Sequence, residues 1–268
     1  MTRPSLALSR SSLSVRLYFL AMAFEKPQHP VKLAPFCIDV TEVTQAAYGA
    51  CVDAGSCIPP RCKKGRDAGW DPVARSKYPV VCIDWSEARA FCAFVGKRLP
   101  TEAEWELAAR GAERRLFPWG EKHPRCGDVV FGRGADLPSG RNCKNLDSTP
   151  DSVGRSKQDV TPDGVFDLGG NVLEWVQDRF EERYASCDGE CKDPVVDEAA
   201  DGGAAKGKGG QGSQGAKKSK KPEPVLRVVR GGSYNFPADA CRGAGRSRQP
   251  QDVAQGNVGF RCAKTVTQ

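Results

Sequence analysis

The sequence predicts a single soluble domain that combines short helices, short strands and long loops. Three observations predict it: helical segments with clear caps in the first half, strand-like runs on either side of them, and a second half rich in Gly, Pro and Asp. With 268 residues, the chain is long enough to bury a sizeable core. Its 39% hydrophobic and 27% charged residues are typical of soluble globular proteins.

The ordered pattern begins with a strand, a helix and a second strand. FCIDVTEV, from Phe36, alternates apolar and polar residues as a strand does. Thr44 is expected to cap the short helix QAAYGACVDAG, which ends at Gly55. After a loop rich in Cys, Pro and Lys, YPVVCIDW is a second strand-like run.

Two further helices follow directly. Ser86 precedes EARAFCAFVGKR, and Gly96 is expected to end this helix. Its predicted buried face consists of Ala88, Phe91, Cys92 and Val95.

The next helix, EAEWELAARG, has the clearest boundaries in the chain. Thr101 and Glu104 form a capping box at its start, and Gly111 ends it. Its predicted buried face consists of Trp105, Ala108 and Ala109.

Composition sets the domain boundaries. Residues 1–34 are polar, Pro-containing or signal-like and are expected to lie outside the fold, which spans 35–265. A Gly/Lys-rich tract at about 193–224 has the composition of a disordered segment. Because only about 45 residues follow it, too few for a second core, we interpret the tract as an insertion within one domain.

The basic charge is concentrated in that insertion. Of the formal net charge of +7, six units come from lysines in 203–221, which leaves +1 for the rest of the chain. A charge run confined to such a tract is typical of a solvated loop, so no nucleic-acid partner is predicted. A flexible tether or a polyanion contact remains open as its role.

Twelve cysteines and two histidines, without a CxxC pair, favour several disulfides over metal fingers. Disulfides imply an extracytoplasmic location, periplasmic or secreted. RLYFLAMAF (16–24), with arginines before it, has a short apolar core and an Ala-Met-Ala cleavage candidate, although a misassigned start or an uncleaved segment would fit as well. No apolar run approaches membrane-spanning length.

The order of six motifs resembles the formylglycine-generating, sulfatase-modifying-factor family. They are IDVTEVT, PVVCIDWSEARAFCAFVGKRLPTEAEWELAARG, FPWG, GVFDLGGNVLEWVQD, VVRGGSY and GFRCA. The resemblance covers residues 36–264 apart from the Gly/Lys tract. It implies one α+β domain with a C-type-lectin-like fold and little regular secondary structure, often calcium-bound. It also implies an activity, the oxidation of a sulfatase cysteine to formylglycine with oxygen and copper(I).

The segment GVFDLGGNVLEWVQD is a candidate calcium loop. Two carboxylates flank a Gly-Gly-Asn turn that can direct carbonyls inward, and calcium takes six to eight oxygen ligands. The resemblance implies side-chain ligation by Asp167 and Glu174 and carbonyl ligation by Gly170 and Val172. A tight turn that packs Trp175 into the core, with solvated acids, is the structural alternative. A second family calcium site would have Val130 in place of an Asn ligand.

Copper(I) in active family members is held by two thiolates, and the resemblance places them after GGSY (231–234). The first position falls on Phe236, which offers no ligand. The second falls on Cys241 when counted forward and on Ala238 when counted backward from GFRCA. Leu173 replaces a tryptophan common beside the family site. The thiol pair is therefore predicted to be incomplete, and Cys241 to be structural or vestigial.

Several disulfides are predicted for the remaining cysteines. The resemblance implies Cys92–Cys262. Spacing suggests Cys51–Cys57, Cys126–Cys143 and Cys187–Cys191, while Cys37–Cys82 would join two CID segments and Cys241 could bridge to Cys62.

Polar residues around Cys241 form a candidate pocket: Ser233, Tyr234, Arg242 and Arg246, together with Phe236. Arginine forks can hold a carboxylate or a peptide backbone. The alternative is that Arg242 and Arg246 pair with the protein's own acids and connect its loops.

Two functions follow from these patterns. One is a formylglycine-generating oxidase acting on a protein cysteine, in which Ser233 and Cys241 would be catalytic. The other is a non-catalytic module on the same scaffold that binds a peptide, glycan or protein, with a sulfatase among the candidate partners. The iron-dependent sulfoxide synthase branch needs a histidine cluster, which His29 and His123 do not supply.

Overall fold

The structure, a computed structural model, describes residues 24–62, 69–133, 143, 146–184, 189–196 and 223–266. Residues 1–23 of the signal-like extension and residues 197–222 of the predicted insertion lie outside these ranges. The described residues form three α-helices: α1 (Gln45–Asp53), α2 (Trp85–Phe94) and α3 (Glu102–Arg110). The strands are β1 (Val31–Lys32), β2 (Phe36–Ile38), β3 (Leu173–Arg179), β4 (Cys191–Lys192), β5 (Leu226–Arg230), β6 (Arg246–Pro250), β7 (Val258–Phe260) and β8 (Ala263–Thr265).

A four-stranded sheet in the order β6-β5-β3-β7 forms the centre of the molecule. Strand β3 pairs antiparallel with β5 and parallel with β7. Two small sheets, β1-β4 and β2-β8, lie outside it. Residues of β3 contribute to two core clusters, because Trp175 packs with α1 and α2 while Val176 packs with Trp105 of α3. The mixed, loop-rich α+β architecture agrees with the sequence prediction.

Helices α1 and α3 confirm their predicted boundaries. The Thr44 hydroxyl accepts a hydrogen bond from the Ala47 amide at 3.2 Å and caps α1. In α3, the Thr101 side chain accepts from the Glu104 amide while the Glu104 carboxylate accepts from the Thr101 amide, so the predicted capping box is complete. Gly111 ends α3 with φ of 61°, a conformation that favours glycine.

Helix α2 ends as predicted, since Gly96 follows its C-cap with φ of 70°, but its start differs from the prediction. It begins at Trp85 and is capped by Asp84, which forms a capping box with Glu87, so Ser86 lies inside the helix. Asp84 rather than Ser86 caps the helix, because a charged carboxylate accepts hydrogen bonds from backbone N–H groups more strongly than a hydroxyl does. Val95, predicted to be buried, is 42% exposed because it follows the last helical residue.

The strand predicted for YPVVCIDW is wrong, and the one predicted for FCIDVTEV is too long. Cys82 has φ of 64°, which no strand residue adopts, and the Cys82 amide donates to Gln255 rather than to a strand. The apolar run is buried irregular chain, with Val80 and Ile83 both 0% exposed. From Phe36, only three residues pair with β8.

Residues 24–34 pack against the domain, so the described fold begins before residue 35. The Phe24 ring meets the Phe180 ring edge-on at 5.1 Å between centroids. Strand β1 pairs in parallel with β4, in the register Val31 with Cys191. We refer to residues 24–34 as the N-terminal strap.

Four disulfides join described cysteines, and three of them confirm predictions: Cys51–Cys57, Cys92–Cys262 and Cys126–Cys143. The fourth, Cys62–Cys82, contradicts both Cys37–Cys82 and Cys62–Cys241. The Arg61 amide donates to the Cys82 carbonyl, which brings the neighbouring Cys62 to Cys82. Cys191 is disulfide-bonded, and its predicted partner Cys187 lies outside the described residues.

Cys37 and Cys241 are free thiols, the first exposed and the second buried. Within the described part of the chain, no helix combines the length and apolarity needed to cross a membrane.

Candidate functional site

The predicted calcium loop makes a sharp turn before β3. Asp167 and Asn171 adopt φ of 61° and 66°, a left-handed conformation that Asp and Asn tolerate better than other side-chain-bearing residues. Gly170 lies between them against another segment, and a Cβ there would come within 2.7 Å of the Val130 carbonyl oxygen. The Asn171 amide donates to that same carbonyl at 2.8 Å, so the turn is fixed to the segment in which Val130 replaces the Asn ligand of the family's second calcium site.

Asn171 connects this turn to Glu42, a buried acid in the segment before α1. The Asn171 side-chain nitrogen donates to Glu42 Oε1 at 2.8 Å, and the Asn171 side-chain oxygen accepts from the Asp151 amide at 2.9 Å. Glu42 is 2% exposed, and its second oxygen, Oε2, has no hydrogen-bond partner. The sequence analysis did not select Glu42, although its position in IDVTEVT placed it among motif residues.

Four acids are buried around the loop: Glu42, Asp159, Asp167 and Glu174, each exposed by 2% or less. Burial is the largest cause that raises the pKa of Glu42, Asp159 and Asp167, and neighbouring carboxylates raise the pKa of each further. These acids therefore form a site with more carboxylates than the nearby cation can neutralise.

That cation is Arg261 of the GFRCA motif. The Arg261 guanidinium donates to both oxygens of Glu174, at 2.7 and 2.8 Å, and both side chains are almost completely buried. Trp105 Nε1 donates to Glu174 Oε2 at 2.8 Å. Glu174 is therefore held by Arg261 and Trp105, while Asp167 accepts from the Gly154 amide at 2.6 Å.

The residues present fit a hard cation such as calcium. The orphaned Glu42 oxygen and the excess of buried carboxylates supply the oxygen donors that calcium prefers. Among the described residues, no three His, Cys, Asp or Glu side chains converge as a metal centre. Calcium would therefore need carbonyl ligands as well, the role predicted for Gly170 and Val172.

GGSY and the residues after it form a tight turn in which the polar side chains of Ser233 and Tyr234 are buried. Ser233 is 0% exposed, and its hydroxyl donates to the Asn235 side-chain oxygen at 3.0 Å. Tyr234 is 6% exposed and packs near the Cys62–Cys82 disulfide. Phe236 is half-buried against the main core cluster, which also contains Leu173. Apolar packing of Phe236 therefore occupies the position at which active family members have the first thiol.

Cys241 lies at the end of a 3-10 helix, Ala238–Cys241, and has no exposed surface. Its cluster contains Phe117, Phe131 and the half-buried Trp119. Burial, with the nearby carboxylates of Asp159 and Asp239, raises the pKa of the Cys241 thiol well above its usual value. A thiol in such surroundings stays protonated and is a poor nucleophile and metal ligand.

The residues of the candidate pocket separate into two groups. Ser233, Tyr234 and Phe236 belong to the turn, whereas Arg242 and Arg246 reach the N-terminal strap. Arg242 donates to both oxygens of Glu25, at 2.9 and 2.5 Å. Arg246 pairs with Glu102 at 2.6 Å and donates to the Phe24 carbonyl at 2.8 Å.

The two histidines lie beside different aromatic residues. The His29 ring is 5.0 Å from that of Tyr184, and the His123 ring is 5.7 Å from that of Phe117.

Comparisons with known proteins agree with the motifs. The family model described as "Sulfatase-modifying factor enzyme 1-like domain" matches residues 11–266. A formylglycine-generating enzyme of Streptomyces coelicolor is 30% identical over 285 residues, covering 89% of this chain and 81% of that protein. A Bos taurus protein named inactive C-alpha-formylglycine-generating enzyme 2 is 32% identical over 196 residues, covering 70% of this chain and 50% of the relative.

A solved structure has the same fold at lower sequence similarity. PvdO from Pseudomonas aeruginosa superposes with a TM-score of 0.64 at 24% identity, covering 90% of this chain and 85% of that one. This likeness and the family match confirm the predicted α+β, C-type-lectin-like fold.

Proposed function

Because the chain belongs to the sulfatase-modifying factor enzyme 1-like domain family, we propose that it is a member without formylglycine-generating activity that acts by binding a protein or peptide. The observation that carries the proposal is the state of Cys241: a thiol with no exposed surface, in an aromatic cluster, with Phe236 at the predicted position of its partner. Two thiolates are needed for linear copper(I) coordination, and these residues do not fit that ion.

The oxidation of a substrate cysteine requires the substrate to reach the reactive thiols. Cys241 is enclosed at the end of a 3-10 helix, and Cys37, the other free thiol among the described residues, is exposed on β2. Leu173 and Phe236 pack into one apolar cluster, which supports a core rather than a reaction pocket. A relative of similar identity is itself named inactive.

The scaffold supports a role outside the cytoplasm. Four disulfides among the described residues are typical of oxidising compartments. With the signal-like residues 16–24, they support a secreted or periplasmic protein.

Calcium is the cofactor that we propose for this scaffold. Asp167, Glu42 and Glu174 would contribute side-chain oxygens, and Gly170 and Val172 would contribute carbonyls. Bound calcium would neutralise buried carboxylates and hold the turn before β3, and so stabilise the native state. After chelation, added calcium should raise the melting temperature of the wild type and of Asp163→Ala, which removes an exposed acid of the same region, but not of Asp167→Ala, which removes the side-chain oxygen. Equal melting temperatures with chelator and with calcium would remove calcium from the proposal.

Oxidase activity is tested with a sulfatase-type Cys-x-Pro-x-Arg peptide, copper(I), a reductant and oxygen, with mass spectrometry as the readout. We expect no aldehyde from the wild type, and Phe236→Cys tests whether one thiol is all that the scaffold lacks. Phe236→Ser, which makes a hole of similar size without a thiol, is the matched control. Conversion of the peptide by the wild type would overturn the proposal.

A further inference from the structure

A large cavity lies between the N-terminal strap, helix α3 and the loop after β3. Its volume is about 1140 Å³, above the roughly 300–1,000 Å³ of most small-molecule pockets. Ser233, Phe236 and Cys241 do not line it, so the cavity is separate from the predicted thiol site. Arg246, which the sequence predicted as a pocket residue, does line it.

The strap already lies at the edge of this cavity in the manner of a bound peptide. The Phe24 ring packs edge-on against Phe180, at 5.1 Å between centroids. The Glu25 carboxylate accepts two hydrogen bonds from Arg242, at 2.9 and 2.5 Å. Arg246 holds the Phe24 carbonyl at 2.8 Å. An aromatic anchor, a carboxylate and a backbone carbonyl are thus recognised together.

The rest of the strap is attached more lightly. Strand β1 has two residues, both exposed, and pairs with a strand of equal length. The Cys191 amide donates to the Pro30 carbonyl at 3.1 Å, and the Ala34 amide donates to Asp193. So short a pairing is marginal by itself, and the strap can be displaced without disturbing the central sheet.

The strap does not supply partners for three of the arginine side chains that line the cavity. The side chains of Arg114, Arg179 and Arg183 line the cavity and form no ion pair or hydrogen bond with any other residue that the structure describes. After Glu25, the strap continues as Lys26-Pro27-Gln28-His29 and brings no second acid to them.

The acids that line the cavity do not cancel this positive charge. Glu102 pairs with Arg246, and Glu106 pairs with Arg110 and with Arg230. Asp178 is occupied by two backbone amides, and Glu181 is exposed. The unpaired groups at the cavity are therefore mostly positive.

We propose that this cavity binds an acidic peptide segment of a partner protein. An aromatic residue followed by an acid takes the places of Phe24 and Glu25, and further acids pair with Arg114, Arg179 and Arg183. The proposal rests on the peptide-binding role proposed above but not on the loss of oxidase activity, because the thiol-site residues do not line the cavity.

The strap is then an intramolecular competitor. A tethered segment has a high effective concentration, so the partner must make contacts that the strap lacks. Apparent affinity is reduced by the fraction of molecules in which the strap is closed. Weakening the strap should therefore tighten binding of the partner peptide.

The test is fluorescence anisotropy of the full-length protein with the labelled peptide acetyl-Phe-Glu-Glu-Asp-Glu-Asp-amide. The matched peptide carries Gln and Asn in place of all acids. The protein variants are Arg114→Gln/Arg183→Gln and, as control, Arg125→Gln/Lys264→Gln, which removes two cations away from the cavity. Melting temperatures show that each variant folds.

We expect the acidic peptide to bind the wild type, and the Arg114→Gln/Arg183→Gln variant to bind at least tenfold more weakly. The control variant should stay within twofold of the wild type. Glu25→Gln should bind the acidic peptide several-fold more tightly than the wild type does. General charge attraction alone does not produce so large a change in affinity.

Three results would overturn the proposal: equal binding of the neutral peptide, an equal loss in the control variant, or no binding by either the wild type or Glu25→Gln at millimolar peptide. A heparin oligosaccharide is the competing polyanion. If it binds more tightly than the peptide and Glu25→Gln leaves its affinity unchanged, the cavity is a glycan site instead.

Discussion

Replacing Arg261 by methionine should lower the stability of the protein more than replacing any other arginine near the buried acids of the predicted calcium loop. The Arg261 guanidinium has no exposed surface and donates to both Glu174 oxygens and to the carbonyls of Asp39 and Phe166. Methionine fills part of the space but leaves Glu174 with Trp105 Nε1 as its remaining donor.

The magnitude follows from the burial of the pair. Two unit charges about 4 Å apart at an effective dielectric constant of about 20 attract each other by about 4 kcal/mol. Removal of one partner of a buried ion pair costs about 3–5 kcal/mol, because the remaining charge is uncompensated. We therefore expect Arg261→Met to lower the free energy of unfolding by about 3–5 kcal/mol.

The measurement is urea denaturation followed by tryptophan fluorescence, with a chelator present so that a metal ion cannot replace the missing charge. Arg98→Met is the control, because Arg98 also pairs with a glutamate, Glu104, but its side chain is 36% exposed. The control should lose no more than about 1 kcal/mol. Equal losses in the two variants would refute the idea that Glu174 depends on Arg261. If calcium binds these carboxylates, adding it should reduce the loss in Arg261→Met.

Three other predictions concern pH, thiol reactivity and backbone packing. Burial raises the pKa of Asp178 to about 7, so this carboxyl binds more protons in the folded than in the unfolded state between about pH 4 and 7, and its contribution to stability is lost as pH rises through that range. Asp178→Asn lacks this pH dependence, so between about pH 4 and 7 its free energy of unfolding, measured by urea titration, should rise relative to that of the wild type by at most about 4 kcal/mol. A difference between the two proteins that stays constant with pH would contradict the shifted pKa. Iodoacetamide should label the exposed Cys37 in the native protein, and Cys241 only after denaturation; mass spectrometry that finds native labelling of Cys241 would show an accessible thiol. Gly232→Ala should destabilise the fold by about 1–3 kcal/mol, because its Cβ would lie 2.2 Å from the Gly169 carbonyl oxygen; an unchanged urea midpoint would mean that the turn can move apart.

Features that depend on neighbouring residues were predictable from the sequence. The Thr101–Glu104 capping box and the Thr44 cap involve groups three residues apart, so they form wherever the chain turns into a helix. Cys51–Cys57 and Cys126–Cys143 close short loops, and the Cys92–Cys262 pair came from the family resemblance. Phe236 excludes a thiol at its position by identity alone.

Features that depend on distant segments required the tertiary structure. YPVVCIDW has the composition of a strand, but its hydrogen bonds go to separate loops and Cys82 adopts a left-handed conformation, so Cys62 and not Cys37 becomes its partner. Glu42 joins the acid cluster through Asn171, which lies 129 residues away in the chain.

The two pocket arginines show the same division. The sequence left open whether the forks of Arg242 and Arg246 hold the carboxylate or peptide backbone of a ligand or pair with the protein's own acids. That these groups belong to Glu25 and Phe24, more than 200 residues upstream, was decided by the packing of the strap. Local sequence determines which contacts a side chain can make, and the closure of long loops around a shared core determines with which residues it makes them.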